Sequence, residues 1–514
     1  MKRFFYLLPL LVFYSLSQAS VSDYFDQIKS EPNALYAFLK DMPKGGELHY
    51  HLTGGAYPEY MLQLAAKGDF CLNPDTFRMI KTDASSCQGV SASKLLRMPA
   101  LYDKTVRAWS FKDFIESKSE SNHDHFFASF YKFPIAVEHD AELLSDVMQR
   151  AATQHELYME IQMLPDSGHS GDFAAEIADL KNLSEMQHKL LADPLFQLNI
   201  QNTIDKSDTL LQQARNNLGC TEKPEQPVCQ IKVVFQYYAL REQPLPRVFA
   251  QALTGFIVAQ RANDLVGVNL VQAEDALPSL RDYRQQMQVF NFLHKAYPKV
   301  HIALHAGELS PASVTPEDLR FHIHDAIFTG NAERIGHGVD IAFEDNAEAL
   351  LDYMAKKEIA VEINLSSNQT ILHIAGKKHP LNYYLCHEVP VVLSTDDEGI
   401  LRTDLTRQYV KAVLEHGIDY PTLKHINRNA LTYSFLPGQS LWSNAKLATP
   451  VSACQDLNSP DCLDFIKRSE KAKLQRQLEL NLLSFEKGYE KANPVAKPAL
   501  PPKASQRCPA LSFE

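Results

Sequence analysis

The chain has 514 residues, 45% hydrophobic and 22% charged, with a formal net charge of −11. This is a globular composition, long enough for one large domain with insertions or two ordinary domains. The body has no dense Lys/Arg block, which speaks against a sequence-independent nucleic-acid footprint; a small uncharged or cationic ligand fits the balance better.

Residues 1–19 begin with Lys2 and Arg3, run apolar from Phe4 to Leu16, and end in Ser17-Gln18-Ala19. The apolar run is short for a bilayer span. The segment reads as a secretory signal cleaved after Ala19, which sends the chain to a periplasm or outside the cell with no membrane anchor left. The cysteines agree with export. Six of the eight form close pairs, Cys71 with Cys87, Cys220 with Cys229 and Cys454 with Cys462, each bracketing a turn-rich segment that a local disulfide would staple. Cys386, in NYYLCHEVPVV, is expected to be a buried free thiol. Cys508 lies in the tail, unpaired or joined elsewhere.

Residues 20–42 read as an amphipathic helical extension. The first β-like run, GELHYHLTG (46–54), follows. Polar, irregular sequence around the first cysteine pair leads to an aromatic-rich stretch, 111–137, and a helical pattern, 141–157. Seven more β-like runs occupy 157–164, 229–240, 265–272, 299–308, 334–340, 359–368 and 390–397, with helical patterns such as 281–297 and 344–358 between them. Alternating β and α units imply a parallel sheet. Eight of them imply a (β/α)8 TIM barrel with an insertion after strand 1 and added terminal helices. An open doubly wound sheet that bound a nucleotide cofactor would normally show GxGxxG after its first strand, which is absent. The expected division is a signal (1–19), an N-terminal extension (20–42), the barrel (43–440), a C-terminal helical segment (441–490) and a Pro-rich tail (491–514).

Chemistry in such a barrel sits at the C-terminal ends of strands. His49 and His51 end the first run, His305 and Glu308 the fifth, His337 the sixth, Asp396 and Asp397 the eighth. Residues i and i+2 of a strand share a face, so His49 and His51 point together to the barrel axis. Three imidazoles with one carboxylate suit a single zinc ion. An HxH pair alone is weak evidence, because NHDHF (122–126) and FHIH (321–324) are HxH pairs too; both lie in helix-like contexts and read as surface or packing residues.

Taken in order, GELHYHLTGG, HAGE (305–308), ERIGHG (333–338), SSNQT (366–370) with His379-Pro380, and LSTDDEG (393–399) resemble the segments of the adenosine deaminase family of zinc hydrolases. The signal, insertion and terminal segments resemble its secreted growth-factor type. The resemblance implies hydrolytic deamination of adenosine and 2′-deoxyadenosine, with one zinc on His49, His51, His305 and Asp396. It makes Glu308 the proton donor to purine N1. His337 would orient and deprotonate the attacking water, and Asp397 would contact that water and purine N7. His51 and Gln272 would join the substrate site. The sequence departs from the family at Gln272, where a glycine usually offers its N–H to purine N3; the side chain adds bulk there. Asn364 is a second departure. The alternatives are a deaminase of AMP or an N6-modified adenosine, or a secreted growth-factor-like binding protein on the same barrel. The growth-factor type also implies a homodimer formed through the N-terminal helical extension.

Overall fold

The computed structural model describes residues 20–82 and 86–492. The expected signal and residues 493–514 of the tail, with Cys508, lie outside the described residues. Eight parallel strands form one sheet: β1 (Lys44–His51), β2 (Glu156–Met163), β3 (Lys232–Leu240), β4 (Leu265–Val271), β5 (His301–Ala306), β6 (Arg334–His337), β7 (Ala360–Ile363) and β8 (Val391–Leu393). Each pairs with the next in chain order. The barrel closes where Tyr50 bridges Asp396 just past β8, with His51 N–H donating to Asp396 O at 3.1 Å and Asp396 N–H to His49 O at 3.2 Å. The fold is a (β/α)8 TIM barrel, and its seam is drawn shut by three of the expected site residues.

The strands form at the apolar runs, because both faces are covered; in the run 359–368 only Ala360–Ile363 is strand, and Leu365–Leu372 is a helix. Outward residues meet helices such as Leu245–Arg261, whose Phe249, Leu253 and Phe256 are buried. Polar residues in the interior pair with one another. Arg334 on β6 donates to Glu160 on β2 at 2.5 Å and to Glu362 on β7 at 2.7 Å, and Gln236 on β3 donates to Glu160 at 2.8 Å. Buried charges persist only with such partners.

Between β1 and β2 the chain builds a small antiparallel sheet (Phe70–Leu72, Met79–Lys81, Val90–Ser91), held by the Cys71–Cys87 bridge. The helix Asn122–Phe130 follows, capped by Ser121 accepting from Asp124 N–H. The bridges Cys220–Cys229 and Cys454–Cys462 are also formed. Cys386 is disulfide-bonded and half-buried, which corrects the expectation of a buried free thiol. It ends the short helix Leu381–Cys386, whose buried side carries Leu381 and Tyr384; two residues beyond Tyr384 the helix has turned away from the core.

The extension forms two helices, Val21–Ile28 and Pro32–Asp41, because Pro32 can open a helix but not continue one. Their aromatic side chains Tyr24 and Phe38 pack on Phe485 and Tyr489 of the last helix, Glu470–Ala492. No helix among the described residues is long and apolar enough to cross a membrane.

Candidate metal and catalytic site

β1 ends on His49 and His51, β5 carries His305, and Asp396 follows β8. One ligand atom from each of the four lies within 4.8 Å of every other. His49 Nε2 and His51 Nε2 each sit 3.3 Å from Asp396 Oδ1, and His51 Nε2 sits 3.2 Å from His305 Nε2. The far nitrogens of two rings are engaged: His49 Nδ1 is 2.7 Å from Glu362 Oε2, and His305 Nδ1 is 2.9 Å from Asn269 Oδ1. Those acceptors hold a proton on Nδ1 and turn the Nε2 lone pairs inward. Bare ring nitrogens facing one another repel, and His49 Nε2 is buried with no hydrogen-bond partner. A cation at the centre resolves both problems, so the donor set fits a metal ion.

The electrostatics point the same way. Burial works against a charged His49, yet the carboxylates of Asp396 and Glu362 beside the ring outweigh it and push the ring up to about 10. Burial also opposes a charged Asp396, but the His49 and His51 rings beside it hold its carboxyl well below the usual range. The centre attracts positive charge. Gly336 makes room for it, since a Cβ there would come within 2.7 Å of the His49 ring.

Glu308, His337 and Asp397 border the same cavity of about 630 Å³. Burial first, then the charges of Asp396 and Glu274, raise the Glu308 carboxyl well above its ordinary range, which favours its protonated form. Its loop is held by Glu274, whose carboxylate accepts from Gly307 N–H at 3.0 Å and Glu308 N–H at 2.9 Å. His337 is neutral, because burial lowers it to about 3. Asp397 precedes the short helix Glu398–Leu401 without a side-chain capping bond, and its Oδ1 is buried and unpartnered. Burial and the neighbouring Asp396 charge raise its carboxyl well above the usual range. A Cβ at Gly54 would collide with Asp397 Oδ1, so a side chain at 54 would displace it.

Three of these strand-end residues are left-handed: Gln272 at φ +84°, His337 at +69° and Asp396 at +66°. Strain of this kind collects where side chains must be aimed. The Gln272 side chain is tied back, with its Oε1 accepting from Glu242 N–H at 3.0 Å, while Glu242 Oε1 accepts from Ala273 N–H at 3.0 Å.

The structure brings every expected site residue to one mouth, and adds some. The NHDHF pair divides. His125 stacks on Phe114, but His123 borders the cavity and pairs with Asp275 at 3.1 Å, which corrects its reading as a surface or packing residue. The aromatic run that follows was the signal, since Phe126 and Phe127 line the same cavity. In FHIH, His324 is exposed while His322 is buried 2.6 Å from Glu274. Glu274, three residues past β4, also obeys the strand-end rule.

A closed parallel barrel with imidazoles and a carboxylate converging at its strand ends defines a (β/α)8 protein with a candidate mononuclear metal centre. The family model described as adenosine deaminase matches residues 96–447, about two thirds of the chain. The chain belongs to the adenosine deaminase family. An adenosine deaminase of Klebsiella pneumoniae (strain 342) is 39% identical over 140 residues, covering 27% of this chain and 39% of that protein. One of Escherichia coli (strain SMS-3-5 / SECEC) is 35% identical over 142 residues, with the same coverage. The match thus spans about two fifths of these relatives' length. The solved structure of Arabidopsis ADAL complexed with IMP is 17% identical, covers 88% of this chain and 99% of its own, and superposes with a TM-score of 0.52, which supports the fold.

Proposed function

We propose that this chain deaminates adenosine and 2′-deoxyadenosine hydrolytically, releasing ammonia and the corresponding inosine. The observation that carries the reading is a buried Glu308, its carboxyl raised well above the ordinary range by burial, beside the His49, His51, His305 and Asp396 cluster. Attack at purine C6 drives negative charge onto N1, and a neutral carboxyl can answer with a proton where an ionised one cannot. A zinc ion on the four ligands would polarise the attacking water and lower its pKa toward neutrality. Asp397, its carboxyl raised well above the usual range by burial and its Oδ1 without a partner, offers a donor to an acceptor such as purine N7. His337, neutral, orients the attacking oxygen. The backbone N–H at Gln272 remains free of its own side chain, which turns to Glu242.

A neutral nucleoside is favoured over a nucleotide. Among the described residues lining the cavity there is no Lys or Arg, while Asp124, Glu242 and Asp275 are part of its lining. A 5′-phosphate would meet like charge there, worth several kcal/mol against it. An ammonia-release assay over adenosine, deoxyadenosine, AMP, adenine and guanosine tests the proposal. The two nucleosides should turn over, AMP should be at least ~100-fold poorer, and chelation should abolish activity until zinc is returned. Preference for AMP, or full activity without metal, would refute it. The local disulfides fit an oxidising compartment, and export from the cytoplasm is part of the proposal.

A further inference from the structure

Asn368, in the helix Leu365–Leu372, and His379, just before Pro380, are buried behind His337 and do not line the cavity. A chain of hydrogen bonds runs through them. Leu381 N–H donates to His379 Nδ1 at 3.2 Å, His379 Nε2 lies 3.0 Å from Asn368 Oδ1, and Asn368 Nδ2 lies 2.9 Å from His337 Nδ1. Its direction is set at the far end. A backbone N–H can only donate, so His379 Nδ1 accepts. Burial, then the neighbouring His416, His337 and Lys411, hold His379 well below its ordinary pKa, so the ring is neutral. A neutral imidazole carries one N–H, which must then be on Nε2. That N–H requires the oxygen of Asn368, which leaves the Asn368 amide nitrogen to donate to His337. His337 Nδ1 is therefore an acceptor.

We propose that Asn368 and His379 are positioning residues that lock His337 in its Nε2–H tautomer. The protonated nitrogen is the one facing the metal centre, 3.7 Å from Asp396 Oδ2. Glu308 Oε1 stands farther from Nδ1, at 3.4 Å, than the Asn368 amide nitrogen at 2.9 Å, so the amide is the nearer partner. Asn364 fits the same polarity. Its Nδ2 stands 3.5 Å from His337 Nε2, at the limit of a hydrogen bond, while its own Oδ1 is buried without a partner. Turning that amide over gives Nε2–H an acceptor and satisfies the oxygen. The resting ring thus presents a donor, which anchors the attacking oxygen and supports negative charge growing on it. It is not a resting-state base, which revises the deprotonating role that the family resemblance implies.

The catalytic consequence rests on the deaminase reading; the tautomer does not, and it can be read without substrate. Nitrogen NMR on the metal-loaded chain, labelled at histidine and assigned with a His337→Gln variant, should show Nδ1 of His337 as a bare ring nitrogen and Nε2 as a protonated one. The opposite pattern overturns the proposal whatever the substrate is. Asn368→Asp keeps the shape but accepts at both ends, so it should move the proton onto Nδ1. It should also lower kcat by roughly 10²- to 10⁴-fold, as misplaced tautomers do elsewhere, with KM and metal content within a few-fold. A bare Nδ1 with wild-type kcat in that variant also overturns it. Should that variant not fold, His379→Gln, whose amide can donate, should keep the bare Nδ1 signal while His379→Ala lets both tautomers appear. Identical spectra from these two would sink the relay.

Discussion

Glu308 can act as an acid only while it holds a proton near neutral pH, and that depends on its surroundings more than on its identity. Burial costs the charged form most, and Asp396 and Glu274 add like charge. Glu308→Gln preserves volume and hydrogen-bonding shape but cannot give up a proton. The variant should bind about as much metal as the parent and lose roughly a thousandfold or more in kcat, the size of effect that acid and electrostatic groups supply. Metal analysis beside steady-state kinetics checks this; near-normal turnover would remove Glu308 from the donor role. At this scale the sequence was readable where strand ends marked the residue, as for His305 and Asp396. It was not readable for His322, nor for the contacts that Asn368 and His379 make. Their partners lie in other segments, and only the folded barrel closes those distances.

The strands were legible because both faces of a parallel barrel strand are covered, leaving short apolar runs between turn signals. The connections were less so. The insertion delivers His123 and its aromatic neighbours to the mouth, a placement set by packing and a disulfide rather than by periodicity. The loops after β3 and β4 show what such connections do. Gln272 and Glu242 cross-bond them, with Gln272 held at φ +84°. Alanine at 272 keeps the left-handed strain and frees the Glu242 N–H, which should cost about 1–2 kcal/mol of stability. Glycine loses the same bond but relieves the strain, worth about 1 kcal/mol, so Gln272→Gly should be the more stable of the two. Both retain the backbone N–H at 272, and KM for adenosine should stay within a few-fold. Denaturant unfolding of the two variants decides the order; an alanine variant as stable as glycine would show that the turn carries no strain.

In the whole molecule the staples are peripheral. The Cys71–Cys87 bridge closes the insertion sheet, Cys220–Cys229 a loop before β3, and Cys454–Cys462 the segment before the last helix. None of these three links two barrel strands. The N-terminal helices likewise close against the C-terminal one through Tyr24, Phe38, Phe485 and Tyr489, so these aromatic faces are engaged within the chain and a dimer would have to use other surfaces. Bridges spanning 8 to 16 residues restrain the unfolded chain by about 2.5–3 kcal/mol each in the loop-entropy picture. Reduction should therefore lower the melting temperature by several degrees while activity at 25 °C largely survives, because the site stands on strands that none of the three crosses. Calorimetry with and without reductant, paired with the ammonia assay, tests both halves. An unchanged melting temperature would mean that the bridges do not stabilise the fold, and loss of activity at low temperature would mean that the insertion bridge holds the mouth in shape. Thiol trapping of the protein from its own cells completes the test, since reduced cysteines there would contradict export and leave the pairs as mere neighbours.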